Sequence, residues 1–450
     1  MSDSSDTHFD VIVIGSGTSA YYCATPLIKA GKRVAIVDER PFGGTCALRG
    51  CQPKKYLVAN ADAVAMARHL VGKGIVESPV TDWKALQALK NEFLEGRSEE
   101  EVKDWREAGA TPIQGRARFV AEDAIEVDGQ RLTAETIVIA SGGSPIRADV
   151  PGKEHIGISD DFLDLAELPE RIVFVGGGYI SFEFAFVAAY AGADVTILQR
   201  SEQVLKLFEP EMVEIVLEAA AEIGIKVRTS EQISSVEEVD GELKITTTSD
   251  ALIEAQVVIE ATGRAPNLSV LDGGEGNIDH SRGGVSVNES MQSVSNPRVF
   301  AIGDCAASGP ALAPVGDEHG KTVAKSILDG DLHLPRLEVI PSAAFTIPSL
   351  ASVGLTEKEA EEKGLKFRIH RNLAISWASS TRIGEKHAGF KVLVDESDGS
   401  ILGAHLARHD AGEVINIFAL AMKHGIKADD LADFPWAYPT MSSDLKNMVR

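Results

Sequence analysis

The sequence predicts an α/β protein in which two similar βαβ motifs precede a C-terminal α+β domain. In residues 10–40 a buried strand, a glycine turn, a helix and a second strand follow one another, and residues 171–200 repeat this order. Beyond about residue 335, short strands alternate with helices. Two βαβ motifs in one chain are typical of paired Rossmann-like domains, and the later change of pattern indicates a separate domain.

The first βαβ motif carries the spacing of a dinucleotide site. Gly15, Gly17 and Ala20 match G-x-G-x-x-G/A, and Asp38 ends the following strand. In this pattern the first glycine permits the turn, and the second lets the backbone approach a pyrophosphate. The third small residue lets the helix pack on the strand, and the acid binds a ribose hydroxyl. These four residues therefore predict a bound dinucleotide.

The second βαβ motif differs from the first at two positions. Gly176 and Gly178 keep the turn, Ser181 takes the third small position, and the second strand ends with Gln199 and Arg200. An acid at the end of this strand selects NAD, whereas a nearby arginine accommodates the 2′-phosphate of NADP. We therefore predict NADPH rather than NADH. The alternative is that Arg200 is only a solvated surface charge.

Two of the four cysteines lie close together in GGTCALRGCQPKK, residues 43–55. On a regular helix the Cα atoms of Cys46 and Cys51 would be about 8.7 Å apart, whereas a disulfide needs less than roughly 7 Å. Either the pair is unbridged or the helix start is distorted, which Gly50 would tolerate. No second cysteine pair or histidine cluster lies nearby in the sequence, so we predict a redox disulfide and no metal site.

The composition argues against several classes of partner. The chain has 450 residues and a formal net charge of −23, which disfavours nucleic acid and anionic membranes as partners. No apolar run reaches the length of a membrane span. The N-terminal segment MSDSSDTHFD lacks the basic and apolar regions of a signal peptide. We therefore expect a cytoplasmic protein with neither a nucleic-acid partner nor a membrane partner.

Together the motifs resemble those of the flavoprotein pyridine nucleotide–disulfide oxidoreductases, the family of glutathione reductase, lipoamide dehydrogenase and mercuric reductase. The cysteine segment is similar to the family's GGTCxxxGCxPSK, with Lys54 in place of the usual serine. The resemblance covers nearly the whole chain and extends to IASGGSP, GGGYISFE, ATGRAPN, AIGD and FTIPSLASVGLTE. It implies a homodimeric enzyme that uses FAD and a pyridine nucleotide to reduce a small-molecule substrate.

The resemblance assigns the first βαβ motif to FAD, with Asp38 on the adenosine ribose and Asp304 on the ribityl chain. The other FAD contacts that it implies are Gly15, Gly17, Ala20, Gly44, Thr45, Lys55, Ala117, Ser141, Gly142, Gly303 and Ala313. Cys51 would face the flavin ring and form a thiolate–flavin charge-transfer pair. Cys46 would be the interchange thiol that meets the substrate.

The resemblance assigns the second βαβ motif to NADPH. The contacts that it implies are Gly176, Gly178, Tyr179, Ile180, Glu183, Arg200 and Gly263. Tyr179 would cover the flavin until the nicotinamide displaces it. Lys55 would lie near the flavin, paired with Glu183, and would favour negative charge on the reduced ring.

One stretch departs from the family pattern. Disulfide reductases of this group carry HPTxSE near the C-terminus, where the histidine, held by the glutamate, protonates the leaving thiolate across the dimer interface. Here the stretch is YPTMSSD, so Tyr438 replaces the histidine, Ser443 replaces the glutamate, and Asp444 follows one residue later. A phenol titrates near pH ~10, too high for acid–base work at neutral pH. Tyr438 stays a candidate catalytic residue by position, but the usual proton relay is absent.

Two interpretations of the missing relay remain open. The enzyme reduces a small disulfide and takes its proton from water or from another group, and the C-terminal histidines His405, His409 and His424 are candidates. Alternatively its oxidant needs no such acid, as a metal ion or a quinone would not. The missing C-terminal cysteine pair argues against full mercuric reductase activity, and the missing His–Glu pair argues against lipoamide dehydrogenase.

The resemblance also predicts the domain organisation. We expect the FAD-binding domain in residues 1–150 and 265–335, with the NADPH-binding domain inserted as residues 151–264. Residues 336–450 would form the dimer interface.

Overall fold

The computed structural model describes residues 7–450, so most of the acidic N-terminal segment lies outside the described residues. These residues form helices and strands in a mixed α/β fold, as predicted. Within them, no helix is both long and apolar enough to cross a lipid bilayer. The chain divides into two compact units. The first unit holds residues up to Lys54, Asn91–Ile146 and Arg264–Leu337, and the second holds Lys55–Lys90, Arg147–Gly263 and Glu338–Arg450.

The N-terminal part of the chain opens with the predicted βαβ order. Its strands are β1 (His8–Ile14), β2 (Val34–Asp38), β3 (Thr111–Gln114), β4 (Ala117–Ala121), β5 (Ala124–Val127), β6 (Gln130–Ile139) and β7 (Gly143–Pro145). Its helices are α1 (Thr18–Lys29), α2 (Gly44–Arg49), α3 (Cys51–His69), α4 (Trp83–Leu94) and α5 (Arg97–Glu107).

The middle of the chain repeats the βαβ order. Its strands are β8 (Ile156–Gly157), β9 (Arg171–Val175), β10 (Asp194–Gln199), β11 (Lys226–Thr229), β12 (Ile233–Val239), β13 (Glu242–Thr247), β14 (Leu252–Ala255) and β15 (Val257–Glu260). Its helices are α6 (Ser159–Leu163), α7 (Tyr179–Ala191) and α8 (Pro210–Glu222).

The rest of the chain returns to the first unit and then completes the second. The returning segment holds β16 (Arg264–Pro266), β17 (His280–Ser281), β18 (Gly284–Val285), β19 (Val299–Ala301) and α9 (Ala313–Asp329). The C-terminal strands are β20 (Ser342–Ala344), β21 (Leu350–Gly354), β22 (Phe367–Asn372), β23 (Gly389–Asp395) and β24 (Ile401–Ala407). The C-terminal helices are α10 (Glu357–Glu362), α11 (Ala378–Thr381), α12 (Ala411–His424), α13 (Ala428–Asp433) and α14 (Leu445–Met448).

The first unit is organised around one large sheet. Its strand order is β3-β2-β1-β6-β5-β4, and β19 pairs with β6 outside this path. Strands β3, β2, β1, β6 and β19 run parallel to one another, whereas β5 pairs antiparallel with β6. The apolar side chains of β1 and β2 are buried, as expected for a parallel sheet that is covered on both faces.

Helices α1 and α9 of the first unit pack with their backbones close together. A Cβ atom on Gly316 would lie 2.3 Å from the Ser19 Oγ, and a Cβ atom on Gly320 would lie 2.4 Å from the Ser19 carbonyl oxygen. Only glycine at these two positions of α9 permits this approach. The contact fixes the position of the first turns of α9 relative to the start of α1.

The second unit contains three sheets. A parallel sheet has the order β11-β10-β9-β15-β8, a small antiparallel sheet has the order β12-β13-β14, and the C-terminal antiparallel sheet has the order β20-β21-β24-β23-β22. Helix α12 packs on the C-terminal sheet through a shared apolar core that includes Val392, Val394, Leu406, Ile415 and Phe418. The change from a parallel to an antiparallel sheet follows the change of sequence pattern near residue 335.

Candidate redox and cofactor site

The residues predicted to bind FAD gather at one edge of the first unit's sheet. Four strands end at or just before predicted residues. Gly15 follows β1, Asp38 ends β2, Ser141 and Gly142 follow β6, and Gly303 and Asp304 follow β19. Because these strands are parallel, their carboxyl ends meet at the same edge, where open α/β sheets bind ligands. Ala313 begins α9, and Ala117 follows Gly115, whose N–H donates to the Asp38 carbonyl at 2.9 Å.

The turn between β1 and α1 leaves its backbone open to a ligand. Gly15 has a φ of 113°, and a Cβ atom there would lie 2.2 Å from the Ala140 carbonyl oxygen. A Cβ atom on Gly17 would meet only the Gly44 Cα, at 3.9 Å. Ala20 is fully buried, which is the close packing predicted for the third small residue. The start of α1 therefore fits a pyrophosphate group.

Asp38 is held in a fixed orientation by three hydrogen bonds. Its Oδ2 accepts from the Ser16 N–H at 2.8 Å and from the Ser16 hydroxyl at 2.7 Å, and its Oδ1 accepts from the Arg40 N–H at 2.9 Å. A carboxylate has about four acceptor positions, so the fixed group keeps capacity for a ribose hydroxyl.

The residues that follow β6 and β19 line the same edge. The Ser141 hydroxyl donates to the Asn267 carbonyl at 2.6 Å. Burial raises the pKa of the Asp304 carboxyl, and the positive charge of Arg264 partly opposes this shift. Gly142 has a φ of 66°, and nothing lies within 4 Å of the position that its Cβ would take. The residues present thus fit an extended dinucleotide laid along this edge.

The helix that carries the redox cysteines is interrupted between them. Helix α2 ends at Arg49, Gly50 follows, and α3 begins at Cys51. A Cβ atom on Gly50 would lie 3.0 Å from the Thr45 carbonyl oxygen, so the join favours glycine. The spacing of a regular helix does not apply here: the helix start is distorted, and the two cysteines are unbridged in this structure.

The interruption brings two reduced cysteines into contact. The Cys46 and Cys51 side chains hydrogen bond to each other, and this bond together with burial raises the pKa of the Cys46 thiol. Cys51 is exposed, whereas Cys46 is half-buried. Cys23 and Cys305 are fully buried, and burial raises the pKa of the Cys23 thiol to about 12. Of the four cysteines, only Cys46 and Cys51 are accessible enough for thiol chemistry.

In the second unit, Phe345 connects two of the predicted residues. The Lys55 Nζ lies 3.5 Å from the centre of the Phe345 ring, and the Glu183 Oε1 accepts from the Phe345 N–H at 2.7 Å. Glu183 is 1% exposed, so its carboxylate is largely removed from water. Phe345 was not predicted as a site residue, because a backbone N–H and an aromatic ring carry no distinctive sequence signal.

The second glycine turn repeats the geometry of the first. Gly176 has a φ of 113°, and a Cβ atom there would lie 2.4 Å from the Ala261 carbonyl oxygen. Nothing lies within 4 Å of the Cβ position at Gly178. Tyr179 and Ile180 begin α7 directly after it. Ser181 is fully buried, so the larger third residue is accommodated in the packed interface.

Gln199 takes the structural place that Asp38 has in the first motif. Its Oε1 accepts from the Gly177 N–H at 2.9 Å, just as Asp38 accepts from the Ser16 N–H. A neutral amide therefore holds the second glycine turn. Arg200 follows it and is exposed, as is Gly263 beyond β15.

The C-terminal stretch places its polar residues differently from the expected His–Glu pair. Tyr438 is 74% exposed, and the Lys446 Nζ lies 5.3 Å from the centre of its ring. The Ser443 hydroxyl donates to the Thr440 carbonyl at 2.6 Å. Ser443 therefore closes a local turn.

Asp444 forms a buried ion pair with Arg408. Its Oδ2 accepts from the Arg408 Nη2 at 2.8 Å and from the Ser379 hydroxyl at 2.5 Å. The Arg408 side chain is 0% exposed. A buried guanidinium is costly without an opposite charge. The role of Asp444 is therefore to neutralise Arg408 in the interior formed by the C-terminal sheet and its helices.

The C-terminal histidines also differ in their surroundings. The His405 Nδ1 lies 2.9 Å from the Ser352 Oγ, and its Nε2 lies 2.9 Å from the Leu355 carbonyl oxygen. Burial lowers the pKa of this imidazole. With both nitrogens engaged, His405 has a structural role and is a poor proton source. The His409 Nε2 lies 3.5 Å from the Asp410 Oδ1, and His424 is exposed.

Comparisons with known proteins match the whole chain. A family profile described as pyridine nucleotide-disulphide oxidoreductase matches residues 9–320, and the dimerisation domain profile of the same description matches residues 340–449. A mercuric reductase of Bacillus cereus is 32% identical, with 100% of this chain and 72% of that protein aligned. A glutathione reductase of Burkholderia cepacia is 31% identical, with 97% of each chain aligned. A dihydrolipoyl dehydrogenase of Haloferax volcanii is 30% identical, with 97% of this chain and 94% of that protein aligned.

A solved structure has a similar fold. The HOCl-induced flavoprotein disulfide reductase RclA of Escherichia coli superposes with a TM-score of 0.89 over 98% of this chain and 99% of that chain. The two sequences are 24% identical, so the likeness concerns the fold alone.

Proposed function

Because the chain belongs to the pyridine nucleotide-disulphide oxidoreductase family, we propose that it carries electrons from NADPH through FAD and the Cys46–Cys51 pair to a small disulfide. FAD and a pyridine nucleotide are the cofactors of this family, and the chain is a flavoenzyme of this kind. The observation that carries the proposal is the contact between the two thiols across the helix break.

The first unit's strand edge would hold FAD. The start of α1 would take the pyrophosphate, Asp38 would take the adenosine ribose, and Asp304 would take the ribityl chain. The open backbone at Gly17 and the fixed carboxylate of Asp38 support these roles. When bound, FAD supplies the chemistry that accepts a hydride from the nicotinamide and passes two electrons to a disulfide.

The two cysteines would have different roles. Cys51 is the first residue of α3, a helix of 19 residues, and the positive end of its dipole stabilises a thiolate there. Cys51 would therefore be the thiolate beside the flavin. Cys46 has the raised pKa and keeps its proton in the reduced pair, so it would be the interchange thiol.

Lys55 and Glu183 would act as a pair. The ammonium of Lys55 stands over the Phe345 ring, and Glu183 is fixed by the Phe345 N–H. A cation placed in this way would favour negative charge on a reduced ring, and the carboxylate would keep the ammonium in place. Tyr179, at the start of α7, would cover the flavin face until the nicotinamide displaces it.

The active enzyme would be a homodimer in the cytoplasm, which is the reducing compartment that a dithiol centre needs. The dimer interface would be residues 336–450, since the dimerisation profile matches residues 340–449. In this segment Leu420 is 57% exposed and Phe434 is 55% exposed, and a second copy would cover such side chains.

FAD would be bound by residues 1–150 together with 265–335, and NADPH would be bound by residues 151–264.

The choice of NADPH rests on Gln199 and Arg200. The neutral amide removes the charge that would repel a 2′-phosphate, and the exposed guanidinium supplies a partner. We expect Arg200→Ala to raise the KM for NADPH about 10- to 100-fold, the value of one charge-assisted hydrogen bond, with the KM for NADH unchanged. The matched control is Lys226→Ala, which removes a surface cation that pairs with Asp194 at 2.8 Å. Equal effects on both nucleotides would contradict the assignment.

Anaerobic titration of the purified enzyme with NADPH tests the electron route. We expect a long-wavelength charge-transfer band as the Cys51 thiolate forms beside the oxidised flavin, and we expect Cys51→Ser to abolish it. If the parent enzyme binds FAD and is reduced without this band, the cysteine pair is not the electron carrier.

A further inference from the structure

Asp317, on α9 of the first unit, has a carboxylate that the fold does not explain. Its Oδ1 atom is buried and has no hydrogen-bond partner in the described part of the chain. The Thr18 side chain hydrogen bonds to the carboxylate, and burial raises the pKa of the carboxyl group. Burying an open carboxylate oxygen costs free energy, which indicates that the group has another use.

Two close contacts place Thr18 between the helix that carries Asp317 and the helix that carries Cys46. On one side, Gly17 touches the start of α2, where a Cβ atom on Gly44 would lie 2.4 Å from the Gly17 Cα. On the other side, Ser19 touches α9 at Gly316, as described above. Thr18 is therefore fixed where the starts of α1, α2 and α9 meet.

The same meeting point brings Asp317 within electrostatic range of Cys46. Asp317 follows Gly316 on α9, and Cys46 lies two residues after Gly44 on α2. The negative charge of Asp317 is one of the causes that raise the pKa of the Cys46 thiol. A carboxylate and a thiol that interact electrostatically are not readily ionised at the same time, so one proton can pass between them.

We propose that Asp317 is the proton carrier of Cys46, in place of the histidine that the C-terminal stretch lacks. The inference rests on the proposed function, because it assigns the proton that disulfide reduction requires. Asp317 acts directly on the reacting thiol, and Thr18 is a positioning residue that fixes the carboxylate.

The reaction balances with one proton passing through this carboxylate. In the reduced enzyme Cys46 is a thiol and Cys51 is a thiolate. As Cys46 gives its proton to Asp317, its sulfur attacks the substrate RSSR, so that a Cys46–SR bond forms and RS⁻ leaves. Asp317 then returns the proton to RS⁻, which gives RSH. The Cys51 thiolate attacks the Cys46 sulfur, the enzyme disulfide forms, and the second RS⁻ takes a proton from water.

The charges around Asp317 are suited to this exchange. The charged and titratable groups that interact with it are Lys321, Glu318 and Cys46. Lys321 favours the carboxylate and Glu318 opposes it, and these two form an ion pair at 3.0 Å. Lys321 also lies 4.8 Å from the centre of the Tyr22 ring on α1. Burial opposes ionisation of the carboxyl group, whereas the Thr18 hydrogen bond and Lys321 support it, so the group can accept a proton from Cys46 and release it again.

The first test measures the thiol itself. In a Cys51→Ser background, Cys46 is the one cysteine that is not fully buried. We expect Asp317→Asn to move the pH midpoint of Cys46 alkylation by iodoacetamide about one unit lower or more, because the like charge is gone. An unmoved midpoint would show that the Asp317 charge does not act on the Cys46 thiol.

The second test measures proton delivery. The NADPH-reduced enzyme is mixed with 2-hydroxyethyl disulfide, whose basic thiolate needs a proton, or with an aromatic disulfide, 5,5′-dithiobis(2-nitrobenzoate), whose thiolate leaves without one. We expect Asp317→Asn to react about 10²-fold more slowly with the alkyl disulfide, and at the parent rate or faster with the aromatic one. Asp317→Glu should recover part of the alkyl rate, and Asp329→Asn, which changes a half-exposed carboxylate at the far end of α9, should match the parent.

The outcomes separate the two claims. A parent enzyme that fails to react with either disulfide removes the proposed function. If the parent reacts and Asp317→Asn matches it with the alkyl disulfide, only the role of Asp317 is overturned. Equal losses with both disulfides, or an unmoved alkylation midpoint, also overturn that role. Flavin content and the NADPH-induced band show whether the variant is correctly folded.

Discussion

Replacing Cys46 by serine is expected to abolish disulfide reduction while quinone reduction by NADPH continues at the parent rate. Disulfide turnover should fall by more than about 10³-fold, since deleting a catalytic nucleophile in other enzymes costs about 10⁴ to 10⁶. A serine hydroxyl cannot form the mixed disulfide. Cys51 remains at the start of α3, and electrons can still pass from the flavin directly to a quinone.

Steady-state oxidation of NADPH with each oxidant measures this difference. Cys23→Ala is the matched control, because that thiol is fully buried in the core of the first unit and should leave both activities unchanged. Full disulfide turnover by Cys46→Ser would show that the dithiol is not on the electron route. Loss of both activities together would point to damage at the flavin site instead.

Replacing Lys391 by methionine is expected to destabilise the protein by about 3–5 kcal/mol, the usual cost of removing one partner from a buried ionic network. The Lys391 side chain is 2% exposed, and its Nζ lies 2.8 Å from Glu209 and 2.7 Å from Glu211. It also pairs with Glu357. These three carboxylates raise the pKa of the ammonium above its ordinary value despite its burial. Without the lysine, three carboxylates within 4.8 Å of one another would repel.

The pH dependence of the Lys391 variant has a definite sign. Like charges raise the pKa of the folded state's carboxyl groups above the values of the unfolded chain. Protonation then favours the folded state, so the deficit of the variant should shrink as the pH falls through the carboxyl range.

Urea unfolding midpoints at a fixed protein concentration and several pH values measure the stability of the Lys391 variant. The control is Lys386→Met, which breaks an exposed pair with Glu222 and should cost less than about 1 kcal/mol. A deficit for Lys391→Met no larger than that of the control, or one that grows in acid, would contradict the ionic account.

The sequence predicted those parts of the fold that depend on local conformation. Gly15 and Gly176 are required by turns in which a Cβ atom would collide with a neighbouring strand's carbonyl group, so their spacing alone located both glycine turns. The buried strands before them are continuous apolar runs, which is the pattern of parallel strands. Gly50 was correctly expected to permit a distorted helix start.

The sequence alone did not predict contacts between segments that are distant along the chain. Asp317 and Thr18 meet only because Gly316 and Gly320 let α9 approach α1, and neither glycine has a motif that indicates this packing. Lys391 lies in the strand FKVLVDE, where alternation alone would place it on a surface. Its three carboxylate partners come from other parts of the chain. Position in a family motif singled out Tyr438, but its exposure depends on the tertiary fold.

The buried pair of Arg408 and Asp444 constrains how this enzyme can evolve. Exchanging Tyr438 for histidine would restore the family's residue at that position, yet its supporting acid would still be missing. Ser443 closes a turn, and Asp444 could not be recruited without leaving Arg408 as an uncompensated charge in the interior. A His–Glu relay in this stretch would therefore need coupled substitutions, because freeing Asp444 requires a simultaneous change at Arg408.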